Sequence, residues 1–170
     1  HQDILKVDLK ELSEKEFGGQ AFKVVSNLPY YITTPIIEKL VTSDLACDDM
    51  TLMVQKEVAE RMMADEKMKD YSSLSVFVKF YCEKEGKINV PKSVFLPQPK
   101  IDSTVLRLKL RIYDAEVDRD KLFSLVRAGF NKRRKTILNS LSAVIEKEDL
   151  KNILEKLDLK ENLRAENLSL

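Results

Sequence analysis

The hydrophobic pattern of this 170-residue chain changes once, near Tyr113-Asp114-Ala115-Glu116, and that change constrains the fold more than any other feature. Before it, apolar runs of strand length alternate with stretches of helical spacing. After it, only helical spacing is found. Alternating strands and helices build a sheet covered by helices, whereas helices alone pack as a bundle. The sequence therefore predicts an α/β part over residues 1–113 and a small all-α part over residues 114–170.

In the first part, Phe22-Lys23-Val24-Val25-Ser26 reads as a short buried strand, stopped by the proline of Asn27-Leu28-Pro29-Tyr30. Thr33 or Thr34 can cap a helix with Pro35 in its first turn, carrying Ile36, Ile37, Leu40 and Val41 and ending at Ser43-Asp44. Met50–Val54 reads as a second strand, and Lys56–Ala64 as a helix with Val58, Met62 and Met63 inward. Leu74, Val76, Val78 and Phe80 alternate with Ser75, Phe77, Lys79 and Tyr81, a period that predicts a third strand. Gly86 is the expected turn into a shorter strand, Lys87–Val90, which implies an antiparallel pair. Pro97 and Pro99 make Val94–Lys100 an extended loop. Thr104–Arg111 reads as a last strand with Arg107, Lys109 and Arg111 on one face.

In the second part, Asp118 or Asp120 can cap a helix carrying Leu122, Phe123, Leu125, Val126 and Phe130. A second helical stretch starts at Asn131 or Lys132 and carries Ile137, Leu138, Leu141 and Val144. Leu150, Ile153, Leu154 and Leu157 mark a third.

Composition narrows the chemistry. Only four residues are glycine, and neither G-x-G-x-x-G nor G-x-x-x-x-G-K occurs, so no glycine-rich nucleotide cradle is expected. Cys47 and Cys82 are the only cysteines and His1 the only histidine. They make no zinc-ligand set, so no metal is expected and the thiols are read as reduced. A lone terminal histidine also removes Ser-His and Cys-His nucleophilic chemistry. No apolar run reaches the ~18–20 residues of a membrane-spanning helix, and no secretory leader is read. The expected compartment is the cytoplasm, with no membrane partner. Residues 121–140 carry +6 and residues 79–111 carry +5, while the whole chain carries +1, so the remainder carries −10. Such polarity suits one face to a polyanion and another to solvent.

Asn27-Leu28-Pro29-Tyr30 follows a strand directly, and open α/β sheets bind ligands beyond the carboxyl ends of their strands. Its chemistry suits an exocyclic amine on a planar base. The Asn27 side chain offers one carbonyl acceptor and the Leu28 backbone another. Pro29 fixes the loop, and Tyr30 offers a flat face for stacking. Two acceptors on an N6 amino group draw its hydrogens out of the ring plane and free the nitrogen lone pair to attack a methyl group. The same four residues also fit a strand-ending turn with a buried tyrosine.

Six segments in order carry a wider likeness: Asn27–Pro35, Gln55-Lys56-Glu57-Val58, Tyr71–Val76, Phe95–Ser103, Phe130–Thr136 and Arg164–Leu168. Through them the chain resembles the rRNA adenine N6,N6-dimethyltransferase family, most closely its bacterial small-subunit branch. The resemblance implies the C-terminal half of a Rossmann-like, S-adenosylmethionine-dependent methyltransferase sheet, followed by a small helical RNA-binding domain. It implies dimethylation of two adjacent adenines in a hairpin near the 3′ end of small-subunit rRNA, on the immature subunit. It assigns Asn27 and the Leu28 carbonyl to the target amine, Pro29 to the loop that presents them, and Tyr30 and Phe95 to the two sides of the base. Asp3 and Asn27 are assigned to the donor, Asp3 at its adenine. Phe95 also fits a core residue closing a loop, Asp3 an ordinary terminal aspartate, and Ser103 a structural residue. Gln55-Lys56-Glu57 fits either a pocket wall or a solvated helix start.

The resemblance also implies that the family's glycine-rich donor loop and the end of its helical domain lie outside these residues. A chain of this extent is expected to bind the donor weakly and turn over poorly. Other readings stay open: a large-subunit rRNA methyltransferase that confers antibiotic resistance, or a non-catalytic assembly factor. Lys132, Arg133, Arg134 and Lys135 fit a solvated helix face, although four consecutive positions cannot share one face. With the family they read as phosphate contacts that position RNA, extended by Arg107, Lys109 and Arg111. Replacing Arg133 and Arg134 together by alanine should lower the slope of log affinity against log salt by about 2, read by titrating RNA at several salt concentrations. An unchanged slope removes the assignment.

Overall fold

The computed structural model describes residues 2–111, 116–132 and 134–170. Its sheet has four strands: β1 (Phe22–Asn27), β2 (Cys47–Gln55), β3 (Cys82–Val90) and β4 (Ser103–Leu110), in the order β1-β2-β4-β3. β1 and β2 run parallel, joined through helix α2 (Thr33–Thr42); β4 pairs antiparallel with both β2 and β3. The carboxyl ends of β1, β2 and β3 therefore lie at one edge of the sheet together with the start of β4. Register confirms it: Gln55 and Val90 both face Ser103, and Asn27 faces Met53.

Burial follows from the residues of the central strands. Met50, Leu52 and Val54 on β2 and Leu106 and Leu108 on β4 are fully buried, with Leu52 opposite Leu106 and Met50 opposite Leu108. α2 adds Ile36, Ile37, Leu40 and Val41. Truncating any one of the fully buried leucines to alanine should cost about 2–5 kcal/mol, since the lost transfer energy is compounded by a cavity. Cys47 and Cys82 are buried and unbridged. Burial pushes the Cys82 thiol up to about 12, which keeps it protonated and inert at neutral pH.

Three expectations are corrected. Residues 74–81 are not a strand but lie in helix α4 (Ser73–Tyr81), and β3 is one strand through Gly86 rather than a turn and a return. No residue of α4 is solvent-exposed, Ser75 being as buried as its neighbours. A segment covered on every side has no inside–outside period to read, so the alternation there carried no information. Gly86 sits where the β3–β4 register shifts, a bulge rather than a reversal. The antiparallel pair exists, but Pro91–Asp102 joins its strands. Nor does a threonine cap α2: Ile32 is its N-cap, and the Thr33 hydroxyl donates to the Pro29 carbonyl.

Helix α1 (Leu9–Phe17) goes unread in the sequence because only Leu9 is buried, leaving no apolar stripe. Its caps were nonetheless written there. Asp8 accepts the Glu11 N–H at 3.0 Å, and Gly18 closes the helix at φ 58°, a conformation that glycine adopts without strain. The remaining helices are α3 (Lys56–Met63), α5 (Arg119–Asn131, capped by Asp118 as expected), α6 (Ile137–Leu141) and α7 (Lys147–Lys156).

The chain divides into two compact units, His1–Glu60 with Tyr81–Ile112, and Arg61–Phe80 with Tyr113–Leu170. The helical unit thus takes in residues 61–80 as well as those after the break in pattern. One of its clusters is Ile137, Leu141, Leu150 and Leu154; another is Ala64, Tyr71 and Val76, on which Val126 and Phe130 pack. No described helix is long and apolar enough to cross a membrane.

An ion network crosses one face of the sheet. Arg107 Nη2 lies 3.1 Å from Asp49 Oδ2, Arg107 Nε lies 3.2 Å from Glu85, and Lys23 Nζ lies 3.6 Å from Asp49. Burial pushes the Asp49 carboxyl up, but the Arg107 guanidinium and the Lys23 ammonium outweigh it and hold the group below its ordinary value. The stability this adds is present above the ordinary carboxylate value and is lost as pH falls through the lowered one. Wild type should therefore resist denaturant better than Asp49→Asn at pH 6. The two midpoints should converge as pH drops well below about 4.

Candidate active site

The residues singled out in the sequence meet at the edge where the strands end. A cleft of about 420 Å³ is lined by Asn27–Tyr30 together with Phe95, Pro97 and Pro99. The strand-ending turn is held at three points. The Leu28 side chain is buried and its N–H donates to Met53 O at 3.0 Å, extending the ladder beyond β1. The Pro29 carbonyl accepts from the Ile32 N–H at 3.2 Å and from the Thr33 hydroxyl at 3.0 Å. The Tyr30 hydroxyl lies 2.7 Å from Ser103 Oγ, which is fully buried at the start of β4.

What these bonds leave open is as informative. Among the described residues, neither the Asn27 side-chain amide nor the Leu28 carbonyl oxygen has a hydrogen-bond partner. Asn27 is exposed, and Tyr30 keeps part of its ring accessible. Two acceptors and two flat side chains lining one cleft can receive a planar amine.

The Phe95 segment is fixed by bonds of its own. The Phe95 N–H donates to Lys92 O at 3.3 Å, and the Lys92 N–H donates to Asp102 Oδ1 at 2.9 Å. The Asp102 carbonyl accepts the Lys56 N–H at 3.1 Å, which joins this loop to the start of α3. Reading the sequence missed Asp102, although its place beside Ser103 at the head of a strand was visible.

The residues assigned to a donor fit one only in part. Asp3 is exposed, and its Oδ1 accepts the Leu5 N–H at 3.0 Å, which leaves the other oxygen for an amine. Asn27 can meet a polar end group. A Cβ added at Gly18, Gly19 or Gly86 would meet nothing within 4 Å, and the fourth glycine, Gly129, packs on Ala165 in the helical unit.

The basic run is not a helix face. Lys132 caps α5 and α6 begins at Ile137, so Lys132, Arg134 and Lys135 lie in the intervening turn, closed by the Lys135 N–H on Lys132 O at 2.8 Å. All three are exposed and free of ion pairs among the described residues. Arg133 lies outside the described residues. The strand cations differ among themselves. Arg107 is engaged by Asp49 and Glu85, and Arg111 Nε lies 3.7 Å from Glu83, while Lys109 is exposed.

Comparison with known proteins agrees with this geometry. The family model described as ribosomal RNA adenine dimethylase matches residues 1–170. The ribosomal RNA small subunit methyltransferase A of Alkaliphilus metalliredigens is 45% identical over 177 residues, covering 100% of this chain and 61% of that protein. The crystal structure of a dimethyladenosine transferase from Plasmodium falciparum superposes with a TM-score of 0.74 at 31% identity, over 86% of this chain and 62% of that one. A 23S rRNA methyltransferase structure shares the fold, with a TM-score of 0.64 at 21% identity over 98% of this chain and 65% of that one. The chain spans about 60% of the length of the curated relatives it matches. The α/β sheet, its cleft at the strand ends and the match over every residue lead to one conclusion: the chain belongs to the ribosomal RNA adenine dimethylase family.

Proposed function

We propose that the cleft between Tyr30 and Phe95 receives an adenine of small-subunit ribosomal RNA, and that the whole protein dimethylates the N6 amino groups of two adjacent adenines there. The observation that carries this reading is the pair of unused acceptors, Asn27 Oδ1 and Leu28 O, beside a half-exposed tyrosine ring. Every other polar group of the turn with a stated partner serves to hold it still.

Accepting both amine hydrogens draws them out of the plane of the base, and the nitrogen lone pair leaves conjugation. Tyr30 and Phe95 hold the base between their faces, as flipped bases are commonly held. S-adenosylmethionine, with Asp3 and Asn27 toward its polar ends, would supply the electrophilic methyl group. No histidine base is required, because the cleft is open and solvent can take the released proton. Positioning is the chain's main contribution to rate.

Lys132, Arg134 and Lys135 are proposed as phosphate contacts that orient the RNA without reading its sequence, with Arg133 between them in the chain and Lys109 as a lesser member. Arg107 is left out, since its guanidinium is held by two carboxylates. The substrate places the protein in the cytoplasm, on the immature small subunit. The 45% identical relative is named for the small subunit, whereas likeness to the 23S rRNA enzyme extends to fold alone. A non-catalytic assembly factor would have no use for two acceptors kept open.

The test is transfer of label from donor to undermethylated small subunits. Asn27→Ala should lower kcat/KM about 100-fold, the scale of losing a positioned polar group, with affinity for the subunit retained. Full activity of that variant, or label in large-subunit RNA only, overturns the proposal.

A further inference from the structure

The two walls of the cleft belong to segments far apart in sequence, yet both are tied to one dipeptide. The Ser103 hydroxyl meets the Tyr30 hydroxyl at 2.7 Å, across 73 residues of chain. The Asp102 carboxylate takes the Lys92 N–H at 2.9 Å, and the Lys92 carbonyl takes the Phe95 N–H at 3.3 Å. Ser103 cannot shift by itself. It is fully buried and is the first residue of β4, facing Gln55 on one side and Val90 on the other. Asp102 is anchored through its own carbonyl to the Lys56 N–H at 3.1 Å.

We infer that Asp102 and Ser103 are positioning residues that set where Tyr30 and Phe95 stand, and so act as the gauge of the base-binding cleft. This rests on the adenine reading above. A bond at the far end of a tyrosine ring fixes the direction of its long axis, and with it the first side-chain torsion. Phe95 has no polar atom on its side chain, so its wall is restrained through the backbone instead, by the Asp102–Lys92–Phe95 relay. Ser103 touches no reacting atom in this account. Its hydroxyl acts only through Tyr30, and the Asp102 carboxylate only through Lys92.

A double-mutant cycle in the whole protein tests it, with Tyr30→Phe, Ser103→Ala and both together. Each single variant should lower kcat about tenfold, with KM for the RNA and the melting temperature little changed, because misplacement of an aromatic wall is felt mainly in the reacting geometry. The double variant should be no slower than either single one. Asp102→Ala should lower kcat similarly, and Asp102→Asn should restore it, since an amide oxygen can still accept the Lys92 N–H. The companion readout is the fluorescence of an RNA hairpin with 2-aminopurine at the target adenine, quenched by stacking between Tyr30 and Phe95. Wild type should quench it, and Ser103→Ala should quench it less. Wild-type quenching combined with multiplicative losses in the double variant overturns the inference and leaves the adenine reading standing. An absence of quenching by wild type overturns both.

Discussion

The antiparallel ladder between β2 and β4 is what the site depends on. It pairs Asp49 with Lys109 at one end and Gln55 with Ser103 at the other. Leu52 and Leu106 meet in its middle, both fully buried, and this fixes the register, because a slip of one residue would turn the buried leucines of β4 to the opposite face. The same register delivers Ser103 to the end of the sheet where β1 releases Asn27. Without it the Tyr30 hydroxyl would have no partner and the turn would lose its outermost restraint.

The cleft is built by satisfying almost everything around it. Leu28 N, Pro29 O, Tyr30 Oη, Lys92 N and Asp102 O all have partners within the chain. The two acceptors left over lie side by side in sequence, at Asn27 and Leu28. Buried polar groups are ordinarily paired, and the adenine reading proposed above rests on these two open acceptors at the end of β1. Charge is handled on the same principle. Asp49, nearly buried, is held by Arg107 and Lys23, whereas Lys132, Arg134 and Lys135 stand free in a turn. Of the two basic regions, one contains cations consumed by the fold, while Lys132, Arg134 and Lys135 of the other have no ion pair among the described residues.

Much of this was legible beforehand, and the rest has identifiable reasons for being hidden. β1, β2 and β4 carry strand-length apolar runs, and Pro29 marks where β1 must stop, so these strands could be read, together with the Lys87–Val90 end of β3. The segment Ser73–Tyr81 could not, because a helix covered on all sides shows no polar face. α1 escaped for the opposite reason, having almost no buried face. The helical spacing that includes Ile137 puts the start of the helix as early as Asn131 or Lys132, whereas α6 begins at Ile137 and the Lys135 N–H on Lys132 O closes a turn before it.

By itself, the sequence determined the chemistry on offer: a tetrapeptide with two carbonyl acceptors and a tyrosine after a strand, a second aromatic in a proline loop, and an uneven distribution of cations. These are local facts, set by residue type and spacing. Tertiary structure alone decided which of those groups remain available and how far apart the walls stand. Partnership between Tyr30 and Ser103, between Asp102 and Lys92, or between Arg107 and Asp49 depends on strands separated by tens of residues meeting in one register. Hydrophobic burial of the central strands fixes that register, and no local signal encodes it.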